Sequence, residues 1–143
     1  MEISILKEED ILNYSSFKNR CLKIKEKYPY IVIKENNKVL DYAYLNTFNE
    51  RSTYRYTADL SIYIDKDHLH EHLENLLLSS IEKFAKEYNI TTLISIVTSA
   101  NTNSSNFHLK NCFILEGTLH NANKKFNKEL SISYYHNLFN YSY

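Results

Sequence analysis

Near the start of the chain, apolar residues recur at helical spacing within a charged stretch. Ile11, Leu12, Phe17, Cys21, Leu22 and Ile24 fall inside 7–27, which predicts one helix or two short ones. Pro29 stops it, because proline lacks an N–H and its ring clashes with the preceding turn. "YIVIKE" (Tyr30–Glu35) is then a β-branched run, "NNK" a turn, and "VLDYAYLN" (Val39–Asn46) the return strand of a hairpin. "NERSTYRY" is polar and reads as a loop, and "TADLSIYID" (Thr57–Asp65) alternates as a strand does. Asp65 or Asp67 would cap a helix of about five turns ending near Tyr88, with Leu69, Leu73, Leu76, Leu77, Ile81, Phe84 and Ala85 as its apolar stripe. "TTLISIVTS" is nearly all apolar, which predicts a strand buried on both faces. "NTNSSNFHLKN" reads as a loop and short helix. "CFILEGTLH" and "ELSISYYH" are two more strands, joined by a polar connection that includes "NANKKFN". Strand–helix–strand units closed by an antiparallel pair predict a mixed α/β (α+β) sheet.

Composition narrows the class. A length of 143 residues suits one domain spanning 1–143 with one sizeable core. Lys+Arg and Asp+Glu both number 17, so no global field draws nucleic acid or an anionic membrane. No apolar run is long enough to span a bilayer, and "MEISILKEED" lacks the pattern of a secretory signal, so a cytoplasmic location is expected. The two cysteines, Cys21 and Cys112, lie far apart and are expected to be reduced thiols. There is one Gly and one Pro. Asn, which tolerates left-handed backbone, is therefore expected to serve at turns where glycine usually does.

The segment "DHLHEHLENLLL" crowds His68, His70 and His72 among acidic residues. His68 and His72 are spaced to share a helix face, but no HExxH is present. A solvated helix start, with no metal, is the expectation.

From Tyr28 to about His136 the chain resembles the GNAT acetyltransferases, and most closely their phosphinothricin N-acetyltransferase-like branch. "YPYIVIKENNKVLDYAYLN" is similar to that branch's Tyr-rich strand pair, and "YRYTADLSIYID" to its central strand, YxxTxExSxYV. "NTNSSNFHLKNCF" resembles its N-x-x-S-x-x-(L/F)-(H/Y)-x-x-x-G-F motif, and "EGTLHNANKKFNKELSISYYH" its final strands. The resemblance implies a GNAT-type acyl-CoA N-acyltransferase fold whose sheet splays near its middle. It also implies acetyl-CoA as cofactor and acetyl transfer to the amine of a small amino-acid-like acceptor, without a covalent intermediate.

Carried over by position, the resemblance implies that Asp59 takes the place of a Glu general base and that His108 protonates the leaving thiolate. Backbone N–H groups at Ile62, Tyr63 and Ile64 would hold the cofactor and polarise its carbonyl. Asn101 and Ser104 would meet the pantetheine arm or cap the following helix, with Ser104 or Asn103 the expected cap. Tyr44, Tyr54 and Tyr56 would line the acceptor pocket. The usual H-R-G-x-G-x-G pyrophosphate loop becomes "HLHEHLE" here, so Leu69 stands where the family has an arginine, His70, His72 and Glu74 stand where it has glycines, and Leu73 lies at a variable position of the same cofactor-binding loop. Bulky side chains and two added acids would oppose the pyrophosphate, while helix N–H groups would still attract it. The alternative reading is a GNAT-fold protein that no longer binds CoA and acts as an interaction module. The family's first strand and helix are expected to be missing, which would leave a sheet edge for a second copy of the chain to cover in a homodimer.

Overall fold

Alternation and turn chemistry set most of the elements. The structure, a computed structural model, describes residues 2–7, 15–65, 67 and 72–138. In chain order these form β1 (Glu2–Ile5), α1 (Ser15–Lys27), β2 (Tyr30–Glu35), β3 (Lys38–Thr47), β4 (Thr57–Tyr63), α2 (Leu73–Glu87), β5 (Thr92–Thr98), α3 (Thr102–Lys110), β6 (Ile114–Lys125) and β7 (Lys128–Leu138). The seven strands make one sheet in the order β1-β2-β3-β4-β5-β7-β6. Only the β4–β5 pairing is parallel; every other neighbour is antiparallel.

Asparagine does replace glycine at the turns. The β2–β3 turn places Asn36 and Asn37 at φ 52° and 63°, the left-handed pair that a tight hairpin needs. Asn89 (φ 61°) ends α2 in a Schellman turn, with Ile90 N donating to Ala85 O at 3.1 Å and Asn89 N to Lys86 O at 3.2 Å. Cys112 (φ 68°) ends α3 in the same way, with Phe113 N donating to His108 O at 3.0 Å.

The main core lies between the sheet and α2. Leu73, Leu77, Leu78, Ile81 and Ala85 of α2 are buried against Ile31, Ile33, Ala43, Leu45, Ala58, Leu60 and Leu93. Each such leucine contributes about 2 kcal/mol by leaving water. A smaller core on the other face joins Cys21 and Ile24 of α1 to Leu6, Tyr30 and Val32. Among the described residues, this core lies on the β1–β3 side of the sheet.

Five expectations need correction. The strand thought missing is present: β1 pairs antiparallel with β2 from Glu2↔Lys34 to Ile5↔Ile31, and α1 follows it. Four residues are too short to show alternation, so pairing alone reveals the strand, and the argument for an uncovered β2 edge falls. The helix α2 begins at Leu73, not near Asp65. Asp65 Oδ1 accepts from Asp67 N at 2.9 Å, a local turn, and His72 precedes the helix in left-handed backbone (φ 59°). With that start, Leu78 is buried and Leu76 is exposed. The strand β5 is not buried on both faces: Leu93, Ser95 and Val97 are buried, while Ile96 is 43% exposed. Finally, most of "NANKKFN" is strand. β6 runs to Lys125, and the turn is Phe126–Asn127 (φ 52° and 60°), so the hairpin extends beyond the core with water on both sides.

Candidate active site

The parallel pairing between β4 and β5 covers Thr57↔Thr92, Ala58↔Leu93 and Asp59↔Ile94. Beyond it the two strands separate. The opening is a cavity of about 550 Å³ lined by Leu60–Ile64 of β4 and its exit, Ser95–Thr98 of β5, Glu74 of α2, and Asn101, Asn103, Ser104, Phe107 and His108 of α3. Residues from both faces of β4 line it, so the opening passes through the sheet. Alternate N–H groups of a strand point to each side, so both diverging strands turn peptide groups into the gap.

Asp59 stands at the vertex of the opening. Burial pushes its carboxyl up to about 6. It shares a sheet face with Asn46 and Ile94, its register partners, and with Ser61 two positions on. That spacing is about 7 Å along the strand, so an amine held beside Ser61 is within reach of Asp59 through one water.

The floor of the cavity is set by α3. Its N-cap is Asn101, whose side chain accepts from Ser104 N at 3.2 Å; the cap is thus Asn101 rather than Ser104 or Asn103. One turn further, His108 is 5% exposed and packs against Phe113 and Tyr135 at centroid distances of 4.9 and 5.3 Å. Its Nδ1 lies 2.6 Å from Ser104 O and its Nε2 2.7 Å from Ser95 Oγ. A carbonyl can only accept, so Nδ1 carries the hydrogen. Burial lowers the ring's pKa, partly offset by the bond to Ser104. The ring is therefore neutral near pH 7, and Nε2 accepts from the Ser95 hydroxyl.

The other sequence-based candidates divide. Ile62, Tyr63, Ile64, Glu74, Asn101, Ser104 and His108 all meet at the cavity. Leu73 does not; its side chain is buried in the α2 core. His72 opens with Glu74 onto a second groove of about 650 Å³, walled by Asn103, Asn106, Phe107, Lys110 and Asn111. The Glu74 carboxyl is pushed up by burial. Leu69 and His70, with His68 and Glu71, lie outside the described residues.

The tyrosines also lie away from the cavity. Tyr44 stacks on Tyr30 at 4.8 Å, although it shares a face with Ser61. Tyr54 meets Phe48 edge-on, and Tyr56 receives a 2.8 Å hydrogen bond from Arg55. Both are exposed.

Sequence reasoning missed Ser95 and Asp41. Ser95 is the only polar residue on the buried face of β5, between Leu93 and Val97, and that interruption was the available signal. Asp41 is fully buried on β3 and accepts from Asp65 N at 2.6 Å, tying down the exit of β4. Nothing local announces it.

A seven-stranded mixed sheet that opens between two parallel central strands, with a helix starting on each side of the gap, defines the class of the acyl-CoA N-acyltransferase fold. Residues 4–132 match the acetyltransferase (GNAT) domain family, and the chain belongs to that family. It is 31% identical over 111 residues to the phosphinothricin N-acetyltransferase of Alcaligenes faecalis, covering 76% of this chain and 56% of that one. It is 25% identical over 107 residues to the L-amino acid N-acyltransferase MnaT of Escherichia coli (strain K12), covering 75% and 62%. The chain thus matches less than two thirds of the length of these relatives. The acetyltransferase yncA of Salmonella typhimurium, solved with its cofactor acetyl-CoA, shares the fold with a TM-score of 0.87 at 20% identity, over 100% of this chain and 96% of that one. No described helix is long and apolar enough to cross a membrane.

Proposed function

We propose that the 1–143 chain is one GNAT-type domain that transfers an acetyl group from acetyl-CoA to the amine of a small amino-acid-like acceptor by direct attack. The observation that carries this reading is the opening between β4 and β5 with Asp59 at its vertex. Peptide groups at Ile62, Tyr63 and Ile64 are free of β5 and suit a thioester carbonyl and an amide-bearing arm. Asn101 and Ser104 border the same gap from α3. The first turn of α2, at Leu73 and Glu74, offers N–H groups to a pyrophosphate. An ammonium cannot attack a thioester, and a carboxylate with its pKa near 6 removes that proton at neutral pH through water. The acceptor class is taken from the two relatives, whose names specify phosphinothricin and L-amino acids.

Calorimetric titration of acetyl-CoA into the purified protein, at low and moderate salt, tests this. Micromolar binding that weakens with salt and with Asn101→Ala is expected. No heat at millimolar acetyl-CoA would overturn the reading and favour an interaction module.

A further inference from the structure

The cavity holds a pair of groups that direct transfer leaves unused. Ser95 Oγ and His108 Nε2 are 2.7 Å apart, and His108 Nδ1 is fixed 2.6 Å from Ser104 O. Hydroxyl, imidazole and orienting acceptor thus stand in line, with the hydroxyl donating to the ring. That is the arrangement that activates a serine nucleophile. Both side chains line the opening while each is only 5% exposed, so the pair meets the cavity rather than bulk water. The strands diverge just before Ser95, at Asp59↔Ile94, and unpaired N–H groups on the two edges are suited to a developing oxyanion.

The pair also sits on the opposite sheet face from the proposed base. Ser95 is in register with Tyr135 and shares its face with Leu93 and Val97; Asp59 shares its own with Ile94. A thioester in the gap is therefore open to an amine from one face and to Ser95 from the other.

We infer that Ser95 is an acyl-accepting nucleophile with His108 as its base, giving the protein an acceptor-independent acyl-thioester hydrolase activity. The substrate rests on the reading of the cavity as an acyl-CoA site; the nucleophile rests on geometry alone. Ser95 Oγ bonds to the carbonyl carbon as its proton passes to His108 Nε2. The C–S bond breaks, and the imidazolium returns that proton to the departing thiolate. Water then attacks the acyl-serine while Nε2 takes its proton. The serine oxygen leaves, recovers that proton from the imidazolium, and acetate is released.

The test uses two acyl donors without any amine. The first is p-nitrophenyl acetate, which needs no pyrophosphate site. It is expected to give a burst of nitrophenolate and one acetyl group on the peptide carrying Ser95, read by mass spectrometry. Ser95→Ala should abolish both, with unchanged circular dichroism. His108→Gln should slow acylation by about a hundredfold, and Ser95→Cys should move the acetyl group onto the new thiol. The second donor is acetyl-CoA, followed by thiol release. Labelling of Ser95 by both donors supports the inference. Labelling by the ester alone, without acetyl-CoA binding, supports the nucleophile and overturns the acyl-CoA reading. An unlabelled Ser95, or equal rates in wild type and Ser95→Ala, overturns the inference even where acetyl-CoA binds.

Discussion

Asp59 is where residue-scale physics is most exposed. Its carboxyl is pushed from 3.8 to about 6 by burial alone. Between those values the folded protein holds a proton that the unfolded chain has released, so stability falls as pH rises through that window. Asp59→Asn removes the buried charge. With allowance for partial exposure, it should stabilise the fold by about 1–2 kcal/mol at pH 8, and the gain should disappear near pH 4, read by urea unfolding at both pH values. Acetyl transfer should fall by about a hundredfold or more in the same variant. In the wild type, kcat/KM should drop about tenfold per unit below pH 6. A variant both less stable and fully active would exclude Asp59 as the base. The Asp at this position was legible from the sequence. Its raised pKa was not, because burial comes from neighbouring strands.

At the scale of elements, α3 decides the geometry of the site. Its cap at Asn101 and its Schellman end at Cys112 hold His108 one turn inside, against Ser95. The Schellman end is strained, since Cys112 carries a β-carbon at φ 68° where the motif favours glycine. Left-handed backbone costs a non-glycine residue about 1–2 kcal/mol. Cys112→Gly should therefore stabilise the protein by about 1 kcal/mol after the entropy of the added glycine is deducted. Thermal unfolding would show it; no gain would mean the Cys112 side chain makes compensating contacts. The helix itself was readable from "NTNSSNFHLKN". The residue meeting His108 was not, because Ser95 lies thirteen positions upstream on β5.

Across the whole molecule, the β1–β4 and β5–β7 parts of the sheet meet through three parallel residue pairs and then part. A ligand bound in the gap touches both parts and resists their separation. Acetyl-CoA at a hundred times its Kd should raise the unfolding free energy by about 2.7 kcal/mol, seen as a rise of several degrees in Tm. A Tm that stays fixed while calorimetry reports binding would mean that the ligand binds the folded and unfolded chain alike.

Local pattern was enough for the β2–β3 hairpin, the Asn turns, α3 and the closing antiparallel pair, since turn chemistry and alternation act between near neighbours. The order of motifs was enough for the GNAT resemblance. Other features needed tertiary structure. β1 is a strand because β2 offers it hydrogen bonds, not because "EISI" shows a pattern. α2 starts late because His72 adopts left-handed backbone and Asp65 closes a turn. Among the described residues, the small core under α1 draws on the first three strands alone, and Ile96 of β5 is exposed. The Ser95–His108 pair arises where a strand and a helix cross. Hydrophobic spacing records which face of an element is apolar, but not which polar atom will lie opposite it in the fold.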